Sequence, residues 1–224
     1  MAKFMAAPRE GHLFAVLRIF AYLKYHGRSK IVIDFETKDW SQKNFMDKAD
    51  WSEYYPNAKE IIPDNTPEAL GKPVQVNLFC DAAHATCHVT WRSTTGIVVM
   101  LNGTPVTWYS KRQQTIEAST FGSEFVALRI AVEMNDAIRY KLRMFGVPID
   151  GPTNGFCDNE SVVKNATRPE STLRKKHNAV AYHKVRECVA SGAIRICHEK
   201  GKCNLADLLT KFLPAPAHKR CCCL

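Results

Sequence analysis

Four acidic residues, Asp81, Glu124, Asp158 and Asp207, stand in settings that can bring carboxylates to one place. Asp81 closes the stretch V-Q-V-N-L-F-C-D (74–81). There Val74, Val76, Leu78 and Cys80 alternate with Gln75, Asn77, Phe79 and Asp81, the period of a half-buried strand. Glu124 falls in the first turns of a predicted helix, beside its apolar stripe. Asp158 ends a short predicted strand, and Asp207 rides on a last short helix. A layered α/β fold brings strand ends and helix starts to one edge. Hard oxygen ligands gathered there suit two divalent ions about 4 Å apart, which activate water and stabilise the leaving oxygen in phosphodiester hydrolysis. Four like charges so close are costly unless metal neutralises them. Spacing alone does not select these four from the chain's twenty-two acids.

The elements that must position them are legible in outline. Residues 12–25 repeat Leu13, Val16, Leu17, Phe20 and Leu23 at helical spacing, and Gly27 stops the run. Residues 31–35 suggest a short strand. From 36 to 72 the chain is polar, dotted with aromatics and broken by Pro56, Pro63 and Pro67, which reads as an irregular connector with one short helical piece. Strands are predicted at 74–81, 95–101 and 105–110. The last two are joined by Asn102-Gly103, the strongest two-residue hairpin signal, so the three form an antiparallel meander. A long helix follows over 119–145, ended by Gly146 and Pro148. Then come a strand at 153–158, a helix at 159–166, a helix at 173–190, a strand at 193–198 and a helix at 205–212. The order βββ-α-β-α-α-β-α describes a five-stranded mixed sheet flanked by helices, an α/β architecture.

The net charge is +9, and all of the excess lies in one part of the chain. Residues 1–70 carry ten basic and ten acidic side chains, whereas 71–224 carry twenty-one and twelve. The basic part holds the candidate site, and a basic surface attracts polyanions, nucleic acid above all. A domain boundary near residue 70 fits this step in charge. No run of about 18 apolar residues suggests a membrane span, and no signal-peptide pattern opens the chain. The nine cysteines lie mostly inside apolar runs, which points to a reduced, intracellular protein.

Seven local words occur in order: F-C-D-A-A-H-A (79–85), R-S-T-T-G (92–96), W-Y-S-K-R-Q-Q (108–114), E-A-S-T-F-G-S-E-F-V-A-L (117–128), C-D-N-E-S-V (157–162), R-K-K-H-N (174–178) and N-L-A-D-L-L-T-K (204–211). The set resembles the ribonuclease H domain at the C-terminal end of Ty1/copia-type retrotransposon polyproteins. F-M-A-A-P-R-E-G-H-L-F-A-V-L-R-I-F-A-Y-L-K (4–24) resembles the segment that ends the reverse transcriptase of the same polyproteins. The resemblance implies a ribonuclease H-like fold and cleavage of the RNA strand of RNA–DNA hybrids with two Mg²⁺ ions, Mn²⁺ being an alternative. It implies Asp81, Glu124, Asp158 and Asp207 as metal ligands. Arg92, Ser93, Lys111, Arg112, Arg174, Lys175 and Lys176 would be contacts to nucleic acid, and His177 an auxiliary group. Residues 1–70 would be a reverse transcriptase remnant, 71–213 the ribonuclease H-like domain and 214–224 an unstructured tail. The reverse transcriptase and integrase of the polyprotein would be partners, in the cytoplasm, a virus-like particle or the nucleus.

This sequence departs from the family pattern in places. Ala83 stands where a second Asp is common, and Gly122-Ser123-Glu124-Phe125 replaces a more usual E-A-E-Y while keeping the second acid. Other readings stay open. One is a non-catalytic remnant acting as a basic nucleic-acid-binding or assembly module. An integrase of the same superfold would need a late Glu in place of Asp207. Cys80, His84, Cys87 and His88 fall within nine residues, a spacing conceivable for zinc. The C-C-C-L end formally fits a prenylation box. His183 lies near the basic helix start. Trp108 and Tyr109 must face opposite sides of the sheet, one of them into the core.

Overall fold

A computed structural model describes residues 7–28, 30–45, 49–173 and 178–222. The chain forms two compact units, 1–32 and 33–224. The first holds helix α1 (Glu10–Tyr25), none of whose side chains is buried. The second holds strands β1 (Val76–Ala83), β2 (Thr94–Leu101) and β3 (Thr104–Arg112), helix α2 (Thr120–Met144), strand β4 (Thr153–Cys157), helices α3 (Glu160–Thr167) and α4 (Ala179–Ala190), strand β5 (Ile194–His198), a 3₁₀ turn (Gly201–Cys203), and helices α5 (Asp207–Thr210) and α6 (Ala215–Cys222). No helix among the described residues is long and apolar enough to cross a membrane.

The five strands make one mixed sheet in the order β3-β2-β1-β4-β5. The first three pair antiparallel, while β4 lies parallel to both β1 and β5. This is the ribonuclease H-like α/β architecture expected from the motif set. The Asn102-Gly103 hairpin forms as predicted, with Asn102 in the left-handed region at φ 53. One face of the sheet buries Val76, Leu78, Cys80, Ile97 and Val99 under α2 and α4. The alternate residues Phe79, Val98, Met100 and Phe156 face the other side, where Trp40, Phe45, Leu205 and Leu209 cover them.

That second layer corrects several expectations. β1 is buried at all eight positions, so it is not half-buried. It starts and ends two residues later than predicted, which places Asp81 inside the strand. Trp40 donates its indole N–H to Asn77 Oδ1 at 2.9 Å, and its ring lies 4.7 Å from that of Phe156. The polar positions of β1 thus find partners under a lid of chain rather than water. Residues 31–35 form no strand. Their backbone meets side chains of the hairpin: the Asp34 N–H donates to Thr104 Oγ1 at 2.6 Å and the Phe35 carbonyl accepts from Asn102 Nδ2 at 2.9 Å. No helical piece appears among the described residues of 36–72.

The connector nevertheless belongs to the second unit. Arg139 of α2 grips the Glu60 carboxylate with two bonds, at 2.7 and 3.0 Å, and Arg143 adds a third at 2.5 Å. The compact unit therefore starts at Ile33, well before the charge step near residue 70. α4 is described from Ala179, and residues 174–177 of the predicted helix lie outside the described residues. Buried Arg186 of α4 gathers the carbonyls of Asn165, Arg168 and Pro169 and so ties α4 to the end of α3. At the C-terminal end, Ala215–Cys222 is helical, where an unstructured tail was expected.

Candidate metal centre

The parallel pairing of β1 with β4 builds the first half of the site. Cys80 lies opposite Cys157, so the residues that follow them, Asp81 and Asp158, emerge side by side. Asp81 is fully buried. Glu124 approaches from α2. Ser119 caps that helix by accepting the Gly122 N–H at 3.2 Å, and Gln113 ties its first turn to the sheet by donating to the Ser123 carbonyl at 2.8 Å and to Thr95 Oγ1 at 3.0 Å.

Asp207 arrives on α5, which is too short to hold its own position. Three anchors hold it. Asn204 donates to the Cys80 carbonyl at 2.8 Å and accepts from the Ala206 N–H at 3.1 Å. Ser110 of β3 donates to the Leu209 carbonyl at 2.7 Å. Gly96 of β2 lies opposite Asp81 and lets α5 come close, since a Cβ there would stand 2.6 Å from Thr210 Cγ2 and 2.8 Å from the Ala206 carbonyl oxygen. Four of the sequence words thus meet at one point.

The result is two groups of three ligand residues, Asp81–Asp158–Asp207 and Glu124–Cys157–Asp158, which share Asp158. Within each group the ligand atoms all lie within 4.8 Å of one another, the span of two oxygens across one hard cation. Glu124 is 7% exposed, and its buried Oε2 has no hydrogen-bond partner. Burial, then neighbouring Cys157, Asp81 and Asp158, push its carboxyl up to about 10. Burial and the Asp81 charge also raise Asp158, with Lys211 opposing, and burial leads the rise at Asp207. A buried carboxylate oxygen without a partner, beside other carboxylates, fits an added cation. The donors are hard oxygens, which suit Mg²⁺ or Mn²⁺; the Cys157 sulfur is soft and does not.

Sequence reasoning missed the groups that already touch the cluster. Thr210 Oγ1 donates to Asp81 Oδ2. Lys211 Nζ lies 2.7 Å from Asp207 Oδ1, 3.2 Å from Asp81 Oδ1 and 3.8 Å from Asp158 Oδ2. Burial works to lower the Lys211 pKa, but the Asp207 and Asp81 carboxylates outweigh it and hold the ammonium above its ordinary range. His198 Nε2 lies 3.0 Å from the Asp158 carbonyl oxygen. Thr210 and Lys211 close the word N-L-A-D-L-L-T-K. Asp207 and Lys211 lie four apart in a stretch predicted as helix, a spacing that would put them on one face and a signal that was open to reading.

The other expected residues divide. Arg92 precedes β2, and Lys111 and Arg112 pair with Thr95 and Thr94. They lie at the sheet end just beyond the Asp81 row, because Ala83 pairs with Thr94. Arg92 and Lys111 are exposed. Arg112 is half-buried, with Nη1 donating to Cys87 Sγ at 3.1 Å. Ser93 is fully buried, and its hydroxyl accepts the Ala85 N–H at 3.1 Å, so it closes the loop after β1 instead of facing solvent. Arg174, Lys175, Lys176 and His177 lie outside the described residues. His183 Nδ1 pairs with the Tyr55 hydroxyl at 2.7 Å. Cys80, His84, Cys87 and His88 are not gathered into a metal-like group among the described residues. Trp108 is 59% exposed, while Tyr109 packs against the main core.

No protein-family model matches the chain. The chain is 31% identical over 147 residues to the retrovirus-related Pol polyprotein from transposon RE1 of Arabidopsis thaliana, covering 66% of the chain and 10% of the relative. It is 31% identical over 143 residues to the corresponding polyprotein of transposon RE2 from the same plant, covering 64% and 10%. The chain thus spans about a tenth of the length of these curated relatives. Among solved structures, ribonuclease H1 of the archaeon Halobacterium salinarum aligns with 61% of this chain and 94% of its own, at 18% identity and a TM-score of 0.47. The kinship with retroelement Pol polyproteins is the one that the motif set implies.

Proposed function

Taking the chain as a relative of transposon Pol polyproteins with a ribonuclease H-like fold, we propose that it is a divalent-metal-dependent endonuclease acting on the RNA strand of RNA–DNA hybrids. The observation that carries this reading is the convergence of Asp81, Asp158 and Asp207, with Glu124 joined to them through Asp158 and bearing an orphaned buried oxygen. These four would hold Mg²⁺ or Mn²⁺, which supplies an activated water and charge stabilisation at the leaving oxygen when bound.

The chain's own residues do the rest. Asn204, Ser110 and Gly96 fix α5, and therefore Asp207, against the sheet. Gln113 fixes the start of α2, and therefore Glu124. Arg92 and Lys111, exposed at the same end of the sheet, draw in the phosphate backbone and set its register without reading bases. Residues 1–70 would derive from the end of the reverse transcriptase.

A labelled RNA–DNA hybrid incubated in Mg²⁺ with the wild type and with Asp158→Asn tests the proposal. Asp158 is the residue common to both ligand groups. The expected result is cutting of the RNA strand by the wild type alone, with no cutting when Mg²⁺ is chelated. A folded wild-type protein that binds the hybrid and leaves it intact would reject the enzyme in favour of a nucleic-acid-binding module. That second reading draws on Lys211, which neutralises part of the cluster without any metal.

A further inference from the structure

We propose that the Lys211 ammonium is a tethered cation that occupies the carboxylate cluster of the metal-free protein and must leave when a divalent ion enters. The inference rests on the metal-site reading given above. The three carboxylates that Nζ touches, Asp81, Asp158 and Asp207, are the same three whose oxygens lie within 4.8 Å of one another. An ammonium within 3.2 Å of two of them and 3.8 Å of the third sits in the volume that a cation would take. Asp81 is fully buried, so a counter-charge is required whenever no metal is present.

The two cations cannot share that volume. A divalent ion bound by the same oxygens would meet the ammonium at a few ångströms, where like charges repel strongly. Lys211 is built to move. It is the C-cap of α5, its backbone is already extended, and its side chain is 41% exposed on a flexible four-carbon stem. Asp81, by contrast, has no such freedom. The titratable groups facing the cluster from other elements are Glu124 on α2 and Asp158 after β4, with His198 of β5 against the Asp158 carbonyl. Lys211 is the cation among these groups that both reaches the oxygens and has a route to solvent.

The device has a physical consequence. Metal affinity is set by exchange rather than by simple addition, since part of the binding free energy is spent on releasing the lysine. It also lets the fold form without metal, which the uncompensated carboxylates of Asp81, Asp158 and Asp207 would oppose.

The test compares Mn²⁺ binding to the full 224-residue wild type and to Lys211→Met, read by calorimetry and by electron paramagnetic resonance of free Mn²⁺, with no nucleic acid present. The variant is expected to bind Mn²⁺ about tenfold more tightly or better. In chelator it should melt below the wild type, and saturating Mn²⁺ should close that gap. If Lys211→Met does not fold in chelator, Lys211→Gln, which keeps hydrogen-bond donors without the charge, carries the same comparison. Equal or weaker Mn²⁺ binding by the folded variant overturns the exchange and leaves the metal site standing. Absence of saturable Mn²⁺ binding in both proteins overturns the metal-site reading together with the inference.

Discussion

Replacing Gly96 by Ala tests whether α5 must sit where it does. Gly96 lies opposite Asp81 in β1 and opposite Ser110 in β3, at the centre of the contact that carries Asp207 and Lys211. A Cβ added there would stand 2.6 Å from Thr210 Cγ2, 2.8 Å from the Ala206 carbonyl oxygen and 3.0 Å from Leu209 Cβ. Carbon atoms pack comfortably at about 3.5–4.0 Å, so α5 has to retreat by about 1 Å. The backbone oxygen and the Cβ among these neighbours cannot rotate aside. Overpacking of this kind costs about 1–3 kcal/mol, and the stiffer unfolded chain returns about 0.4–1 kcal/mol, so a net loss of about 1–2 kcal/mol is expected. The effect on chemistry is larger, because a displacement of about 1 Å in a positioned group costs on the order of 100-fold in rate. Single-turnover cleavage of a labelled hybrid, with urea unfolding of the same samples, separates the two effects. Adding Thr210→Ser removes the nearest clash, keeps the hydroxyl that donates to Asp81, and should restore part of the rate. Gly96→Ala protein that is folded and loses less than about threefold in rate would refute the claim that close approach of α5 sets the position of Asp207.

Other outcomes follow from the surrounding structure. Glu60→Gln leaves the buried Arg139 guanidinium without its carboxylate, although the Gly151 carbonyl still accepts from it at 3.0 Å. A loss of about 3 kcal/mol is expected from the urea midpoint, and a loss under about 1 kcal/mol would show that the connector is not held this way. The Thr90 hydroxyl and backbone, with the Arg112 guanidinium, lower the Cys87 thiol to about 6. Thiolate is the reactive form, so alkylation of Cys87 by iodoacetamide should rise with pH to half its plateau near pH 6. Peptide mass spectrometry would read this, while buried Cys80, Cys157, Cys188 and Cys197 stay unlabelled in the native protein. A midpoint in the ordinary thiol range would contradict the arrangement around Cys87.

The sequence by itself determined the local elements and the identity of the acids. Alternation and the Asn102-Gly103 turn located the meander, and the stripe from Phe121 to Leu142 located α2, because these signals depend on neighbours along the chain. It also named Asp81, Glu124, Asp158 and Asp207, though only through seven words taken together. Tertiary structure decided what those words are for. Whether Asp81 meets Asp158 depends on the β1–β4 register, which pairs residues far apart in the chain. Whether Asp207 joins them depends on Asn204, Ser110 and Gly96, from three separate segments. The burial of β1 on both faces was hidden because its cover, Trp40 and Phe45, comes from a stretch without periodicity. Lys211 is the sharpest case. In the sequence it is one of thirty-one basic residues, and only the packing of α5 against the sheet places its charge among three carboxylates.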